Sequence, residues 1–197
     1  MRALCLDMTL CNTGYVVFEY DSDWRPMAAG LVSPERPDTR EYEMMKDLRR
    51  AEEMLDKLFQ VALRTNARIM VVELLAGSQT ASTAETFGIA KGVLAALKWR
   101  LELPVLLVNA RAVKRAVTGH KDASKADMIV AADKKYPHLF GDLCGMKKTK
   151  KRDGTVSWPN DAEHVADAAH LMAEARNSEM LRLLVQSSPN NVIRGVQ

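Results

Sequence analysis

A chain of 197 residues, 47% hydrophobic, with 28 Lys and Arg against 25 Asp and Glu, can build one well-buried domain and is too short for two of average size. Its apolar runs are strand-length and none reaches the roughly 20 residues of a membrane span. With no basic-then-apolar leader at its start, a soluble cytoplasmic protein without a membrane partner is expected. Three cysteines, Cys5, Cys11 and Cys144, are odd in number and lack metal-type spacing, so they are expected to be reduced thiols.

Ala3–Leu6, Tyr15–Tyr20 and Met27–Ser33 are predicted strands of a meander, turned at Asn12-Thr13-Gly14 and at Asp21-Ser22-Asp23. Asp7 stands where the first of them bends, and Pro34 and Pro37 end the meander. From Glu41 to Thr65, Met44, Leu48, Ala51, Leu55, Leu58, Phe59 and Ala62 recur every three or four residues, which predicts one buried helix face. Ala67–Leu74 is a near-continuous apolar run, as expected of a strand covered on both faces, and it carries Glu73. Thr80–Leu101 is a predicted helix rich in small residues, Pro104–Asn109 a strand, and Arg111–Thr118 and Ser124–Tyr136 are shorter helices. After a basic segment comes a helix from Asp161, read as its N-cap, to Arg176. Met180–Val185 adds a last helical turn or two before a frayed polar end.

A meander followed by helix–strand–helix–strand–helix is an α/β plan, a mixed five-stranded sheet with helices on both faces. Acids at the ends of neighbouring strands and on a packing helix converge in such a sheet. Asp7, Glu73 and Asp167 come from three distant segments, and their mutual repulsion is tolerable mainly around Mg²⁺ or Mn²⁺. That combination points to a divalent-metal nuclease. Basic charge is clustered accordingly. In 137–160, Lys147, Lys148, Lys150, Lys151 and Arg152 stand against Asp142 and Asp153, five minus two or +3. In 109–125, Arg111, Lys114, Arg115, Lys121 and Lys125 stand against Asp122, five minus one or +4. Such clusters suit a phosphate backbone, whose condensed counterions they release, although two solvated loops would read the same way.

Four blocks together resemble the RuvC-type Holliday junction resolvases, nucleases of the ribonuclease H-like superfamily. Asp7 with Thr13-Gly14-Tyr15 resembles the first motif. Val72-Glu73, followed nineteen residues later by Gly92 within Gly88-Ile-Ala-Lys-Gly92, resembles the second. Leu103-Pro-Val, Ala110 to Gly119 with Lys114, and Ala123-Ser-Lys125 resemble the third, with the family's spacing between its two lysines. His164-Val-Ala-Asp167-Ala-Ala resembles the acid-bearing last helix.

The resemblance covers residues 1–176 and implies a ribonuclease H-like nuclease domain there, with a basic insertion around 137–160 and a tail over 177–197. It implies that Asp7, Glu73, His164 and Asp167 are the catalytic and metal-binding positions, holding two Mg²⁺ ions for which Mn²⁺ substitutes. Most members carry an acid where His164 stands and some carry histidine; His164 and Asp167 are three apart and share a helix face, with Glu163 and Asp161 nearby as competitors for the assignment. An imidazole there would bind metal, orient or deprotonate water, or steady the transition state as a cation. Lys114, Arg115, Lys121, Lys125, Lys147 and Lys148 are the expected DNA contacts, His120 a phosphate or solvent contact, and His170 a packing residue. The implied reaction is symmetric phosphodiester hydrolysis at four-way junctions by a homodimer, with Thr80–Leu101 as the candidate interface. The chain departs from the pattern at Met8-Thr9, at Ala76, where bacterial members carry an aromatic, and in the insertion with Trp158, features of a phage-type or divergent member. A broader fork and flap nuclease and an inactive DNA-binding relative are the alternatives. A sugar-kinase or actin-like ATPase is disfavoured, because the chain is too short for two lobes and lacks glycine-rich phosphate loops.

Overall fold

The computed structural model describes residues 1–35, 40, 42–73, 80–150, 154 and 156–187. Strands β1 (Arg2–Asp7), β2 (Thr13–Tyr20) and β3 (Trp24–Val32) form the expected antiparallel meander. Strands β4 (Ile69–Glu73) and β5 (Val105–Val108) add to its β1 edge in parallel, giving the order β3-β2-β1-β4-β5. The sheet is mixed because hairpins serve the first three strands, whereas the last two return through helices and must run parallel.

Strand alternation sorts the core into two layers. Leu4 and Leu6 of β1 and Met70 and Val72 of β4 face helices α1 (Glu43–Thr65) and α2 (Ala81–Leu101), meeting Met54, Leu58, Val93 and Leu97. Ala3 and Cys5 of β1 and Ile69 and Val71 of β4 share the opposite core with α3 (Ala110–Thr118), α4 (Lys125–Lys135), α5 (Ala162–Ala175) and α6 (Glu179–Gln186). This is the expected α/β class, a five-stranded mixed sheet with helices on both faces. Ten of the fourteen residues of α5 are buried, six of them alanine, so its backbone lies close to the sheet.

Three helix starts follow capping chemistry. Thr80, Asn109 and Ser124 accept backbone N–H bonds at the heads of α2, α3 and α4, and Ser124 with Asp127 closes a capping box. Asp161 does not cap α5 as expected: it is already in helical conformation and its side chain makes no cap bond. The carbonyls of Pro159 and Asn160 instead accept from Ala162 and Glu163, tightening the entry turn.

The basic segment is more ordered than a solvated loop. Leu139–Leu143 forms a π-helical turn that buries Leu139 and Phe140 in the α5-side core, and a short hairpin, β6 (Thr149–Lys150) with β7 (Val156–Ser157), follows. The lysines of the segment obscure this apolar pair in the sequence. Met180–Val185 lies in α6, whose Leu181 reaches the same core. The predicted features at Pro37, Glu41, Leu74, Ala76, Lys151, Arg152 and Asp153, and the polar end beyond residue 187, lie outside the described residues. Among the described residues no helix is long and apolar enough to cross a membrane, and all three cysteines are free thiols.

Candidate active site

Register and alternation carry the acids to one place. Leu6 of β1 stands opposite Val72 of β4, so Asp7 and Glu73 are the next residues on adjacent parallel strands. Cys5 and Val71, two residues earlier, face α5, and the period of two turns Asp7 and Glu73 towards that same layer. Gly14 pairs with Asp7 across the hairpin, and a Cβ at Gly14 would collide with the backbone carbonyl of His164. Glycine there lets the head of α5 press onto the strand ends. The turn is held by Thr9, whose hydroxyl donates to the Asn12 carbonyl at 2.6 Å and accepts from its N–H at 2.9 Å, and by Thr13, whose hydroxyl donates to the Thr9 carbonyl at 2.9 Å. The Met8-Thr9 departure therefore supplies its own stabilisation, with Met8 fully buried.

His164 Nδ1 donates to Asp7 Oδ2 at 2.8 Å, a link spanning 157 residues of sequence. The bond to Asp7 raises the His164 pKa; burial opposes it, and the charges of Asp7, Glu163 and Asp167 add to the rise. Glu73 is pushed up to about 7, first by burial, then by the charges of Asp7 and Asp167, with Lys114 pulling it back. Asp167 is pushed up to about 6, by burial first and then by Asp7, again against Lys114. The three acids thus repel one another in a half-dry setting, with Lys114 the nearby lysine that lowers both raised carboxyls.

Glu163 is the residue the sequence leaves undecided. Its carboxylate accepts from Lys125 Nζ at 2.7 Å and lies 3.9 Å from His164 Nε2, so it borders the site from the outer side. Its spacing of four from Asp167 on one helix face was the available signal. Lys125 also feels Asp167 and Asp7. The structure therefore brings together Asp7, Glu73, His164, Asp167, Lys114, Lys125 and Glu163. Arg115, Lys121 and Lys147 are exposed and form no ion pair among the described residues, while Lys148 pairs with Asp133 at 3.1 Å. His120 is exposed, and His170 is wholly buried, its Nε2 bonded to the Met128 carbonyl at 2.9 Å.

Carboxylate oxygens and an imidazole are suitable donors for Mg²⁺ or Mn²⁺, and a divalent cation would relieve the repulsion that raises Glu73 and Asp167. The donor chemistry fits. Among the described residues, however, no three His, Cys, Asp or Glu groups already stand at ligand-shell spacing. Asp7, Glu73 and Asp167 thus approach one another closely enough to raise two of their pKa values without forming a preassembled ligand shell.

No protein-family model and no curated protein matches the chain. Solved structures do. RuvC of Thermus thermophilus in complex with a Holliday junction substrate superposes with a TM-score of 0.63 at 19% identity, over 91% of this chain and 96% of that one. The fowlpox virus resolvase with Holliday junction DNA gives 0.50 at 12% identity, over 90% of this chain and all of its partner, 100%. The yeast mitochondrial Holliday junction resolvase gives 0.50 at 12%, over 87% and 75%. Together with the mixed sheet and its strand order, these matches show that the chain has the ribonuclease H-like fold of the RuvC-type Holliday junction resolvases.

Proposed function

We propose that this protein is a divalent-metal-dependent endonuclease that resolves four-way DNA junctions, its nuclease domain spanning residues 1–176. The observation that carries the reading is the convergence of Asp7, Glu73 and Asp167 at one end of the sheet, on a fold shared with solved junction resolvases. Asp7, Glu73 and Asp167 would hold the cations. When bound, Mg²⁺ or Mn²⁺ supplies a nucleophile at neutral pH and stabilises the leaving 3′ oxygen, giving 5′-phosphate and 3′-hydroxyl ends.

The chain's own residues do the rest. Asp7 engages His164 Nδ1, which leaves Nε2 as the ring nitrogen to meet water or phosphate, and the raised pKa favours its cationic form. Lys114 sits by Glu73 and Asp167 as a fixed cation for a phosphate oxygen. Lys125, held by Glu163, borders the site as a positive group beside the proposed path of the DNA backbone. We further propose a homodimer that nicks opposed strands symmetrically. On α2, Gly88 and Gly92 are exposed with open space where a Cβ would stand, which suits close approach of a second copy.

The test is cleavage of a mobile four-way junction, a fork and a linear duplex in Mg²⁺, Mn²⁺ or EDTA, for the wild type and Glu73→Gln. Paired nicks in the junction that need metal and Glu73 are expected. Metal-dependent cutting that survives Glu73→Gln overturns the site, and equal cutting of duplex and junction overturns junction selectivity while keeping the nuclease.

A further inference from the structure

Next to the acids lies a cavity of about 410 Å³ between α4, the β6–β7 hairpin and the head of α5. We infer that this cavity receives one unstacked nucleobase of the bound DNA beside the scissile phosphate, a reading that rests on the proposed nuclease function. Three observations converge on a base.

The first is place. Glu163 lines the cavity and also stands 3.9 Å from His164 Nε2, and Lys125 lines it while feeling the charges of Asp7 and Asp167. A strand whose phosphate lies at the acids therefore has its neighbouring nucleotide at the cavity mouth. The second is lining. Ile129, Val130, Val156, Trp158 and Pro159 make apolar walls, and Val130 and Val156 are left 66% and 60% exposed. Apolar side chains grouped around a hollow and open to water suit the flat face of a base. The Trp158 ring is a fixed wall, packed on Phe140 with centroids 5.1 Å apart and covered by Lys148 Nζ at 4.7 Å. Its indole nitrogen is buried and, among the described residues, has no hydrogen-bond partner.

The third is charge. The cavity's two lysines are both paired, Lys125 with Glu163 at 2.7 Å and Lys148 with Asp133 at 3.1 Å. The hollow is thus balanced and matches a neutral occupant better than a phosphate. Asn160 and Ser157 add donors and acceptors for the edge of a base, while exposed Lys147 and Lys150 of the same segment face the solvent in which the backbone would run. Selection of a cutting sequence would then come from the insertion.

A cycle between DNA and protein tests this. Abasic nucleotides are placed one at a time within three positions of the cut on each side of a four-way junction. Cleavage by the wild type, and binding by the uncleaving Glu73→Gln protein, are measured. Removing the base at one position should lower wild-type kcat/KM about tenfold, the size of one base-stacking contact. Filling the cavity with Val130→Trp, or Ala126→Phe should the first variant fold poorly by circular dichroism, should lower kcat/KM similarly and abolish any further loss from the abasic site. Leu183→Trp, at an exposed position of α6 that does not line the cavity, should leave the abasic effect intact. If the wild type cuts junctions but every abasic loss persists in both filled variants, or no position matters, the cavity inference is overturned. If the wild type cuts no branched DNA in Mg²⁺ or Mn²⁺, the nuclease reading itself fails.

Discussion

Helix α5 carries two histidines six residues apart, and its head and its middle give them opposite characters. His164, at the head, donates Nδ1 to Asp7 among carboxylates, and its pKa is raised. His170, mid-helix, is wholly buried against the Met128 carbonyl with a bare Nδ1 among the described residues, and burial lowers its pKa. The same side chain is thus biased to be cationic at the sheet's acid-bearing end and neutral in its core. One helix serves as site and as packing because the strand ends beneath its head supply charges, and the strand middles beneath its body supply only apolar atoms.

The difference between the head and the middle of α5 is lost most completely if the site at its head loses its acids. If Asp167 and Glu73 hold metal as proposed, Asp167→Asn or Glu73→Gln is expected to lower single-turnover junction cleavage at least about a thousandfold, since losing such a group would remove several kcal/mol of charge stabilisation. His170→Gln should cut at the wild-type rate in the same assay. Similar losses at the head and at His170 would mean that α5 acts as scaffold and not as site. Next in size is Gly14→Ala. Its methyl collides with the His164 backbone, so α5 must lift from β1 and β2, which is expected to destabilise the fold by about 3 kcal/mol in urea titration. A cost under about 0.5 kcal/mol would show that the helix head is not pinned there.

Much of this was legible in the chain. Apolar periodicity marked the helices and most strands to within two residues, although β3 starts three residues before its predicted Met27 and Met44 and Leu48 of the predicted α1 face are exposed; alternation through Cys5 and Val71 predicts which face Asp7 and Glu73 take. What was not legible depends on distance in space. Nothing local to Glu163 says that Lys125, thirty-eight residues earlier, will reach it. Gly14 reads as an ordinary turn glycine until the His164 carbonyl is beside it. Leu139 and Phe140 were outweighed by the lysines that follow them, and Asp161 has the residue type of a cap but sits one step inside the helical conformation. Spacing identifies the acids, whereas the residues that support them answer only to packing.

A site built from repelling acids costs stability, and that cost has a pH signature. Glu73, held at about 7, is above its ordinary range in the folded state, so folding takes up a proton between that range and 7. Stability from this group is present at low pH and lost as pH rises through about 7. Glu73→Gln should therefore unfold at higher denaturant than the wild type at pH 8, by about 1–2 kcal/mol after allowance for partial solvent screening, with the gain vanishing near pH 5. Added Mn²⁺ should narrow the gap by stabilising the wild type alone. A variant no more stable than the wild type at pH 8 would mean that the acids do not repel.

The smallest effect comes from the middle of the helix and runs with the opposite sign. The Met128 carbonyl accepts, so Nε2 of His170 carries the hydrogen and protonation must fall on buried Nδ1. The folded pKa lies below the ordinary 6.5 or so of histidine, hence the unfolded chain takes up the proton first. Stability due to neutral His170 is present above about pH 6.5 and is lost as pH falls through the folded value. His170→Leu should cost about 1–2 kcal/mol at pH 7.5 by leaving the Met128 carbonyl unpaired. The difference between wild type and variant should then shrink steadily from pH 6.5 to 5, because only the wild type has a proton to exclude. Glu73 and Asp167 titrate in the same window in both proteins, so their contribution cancels in the difference and the slope that remains belongs to His170 alone.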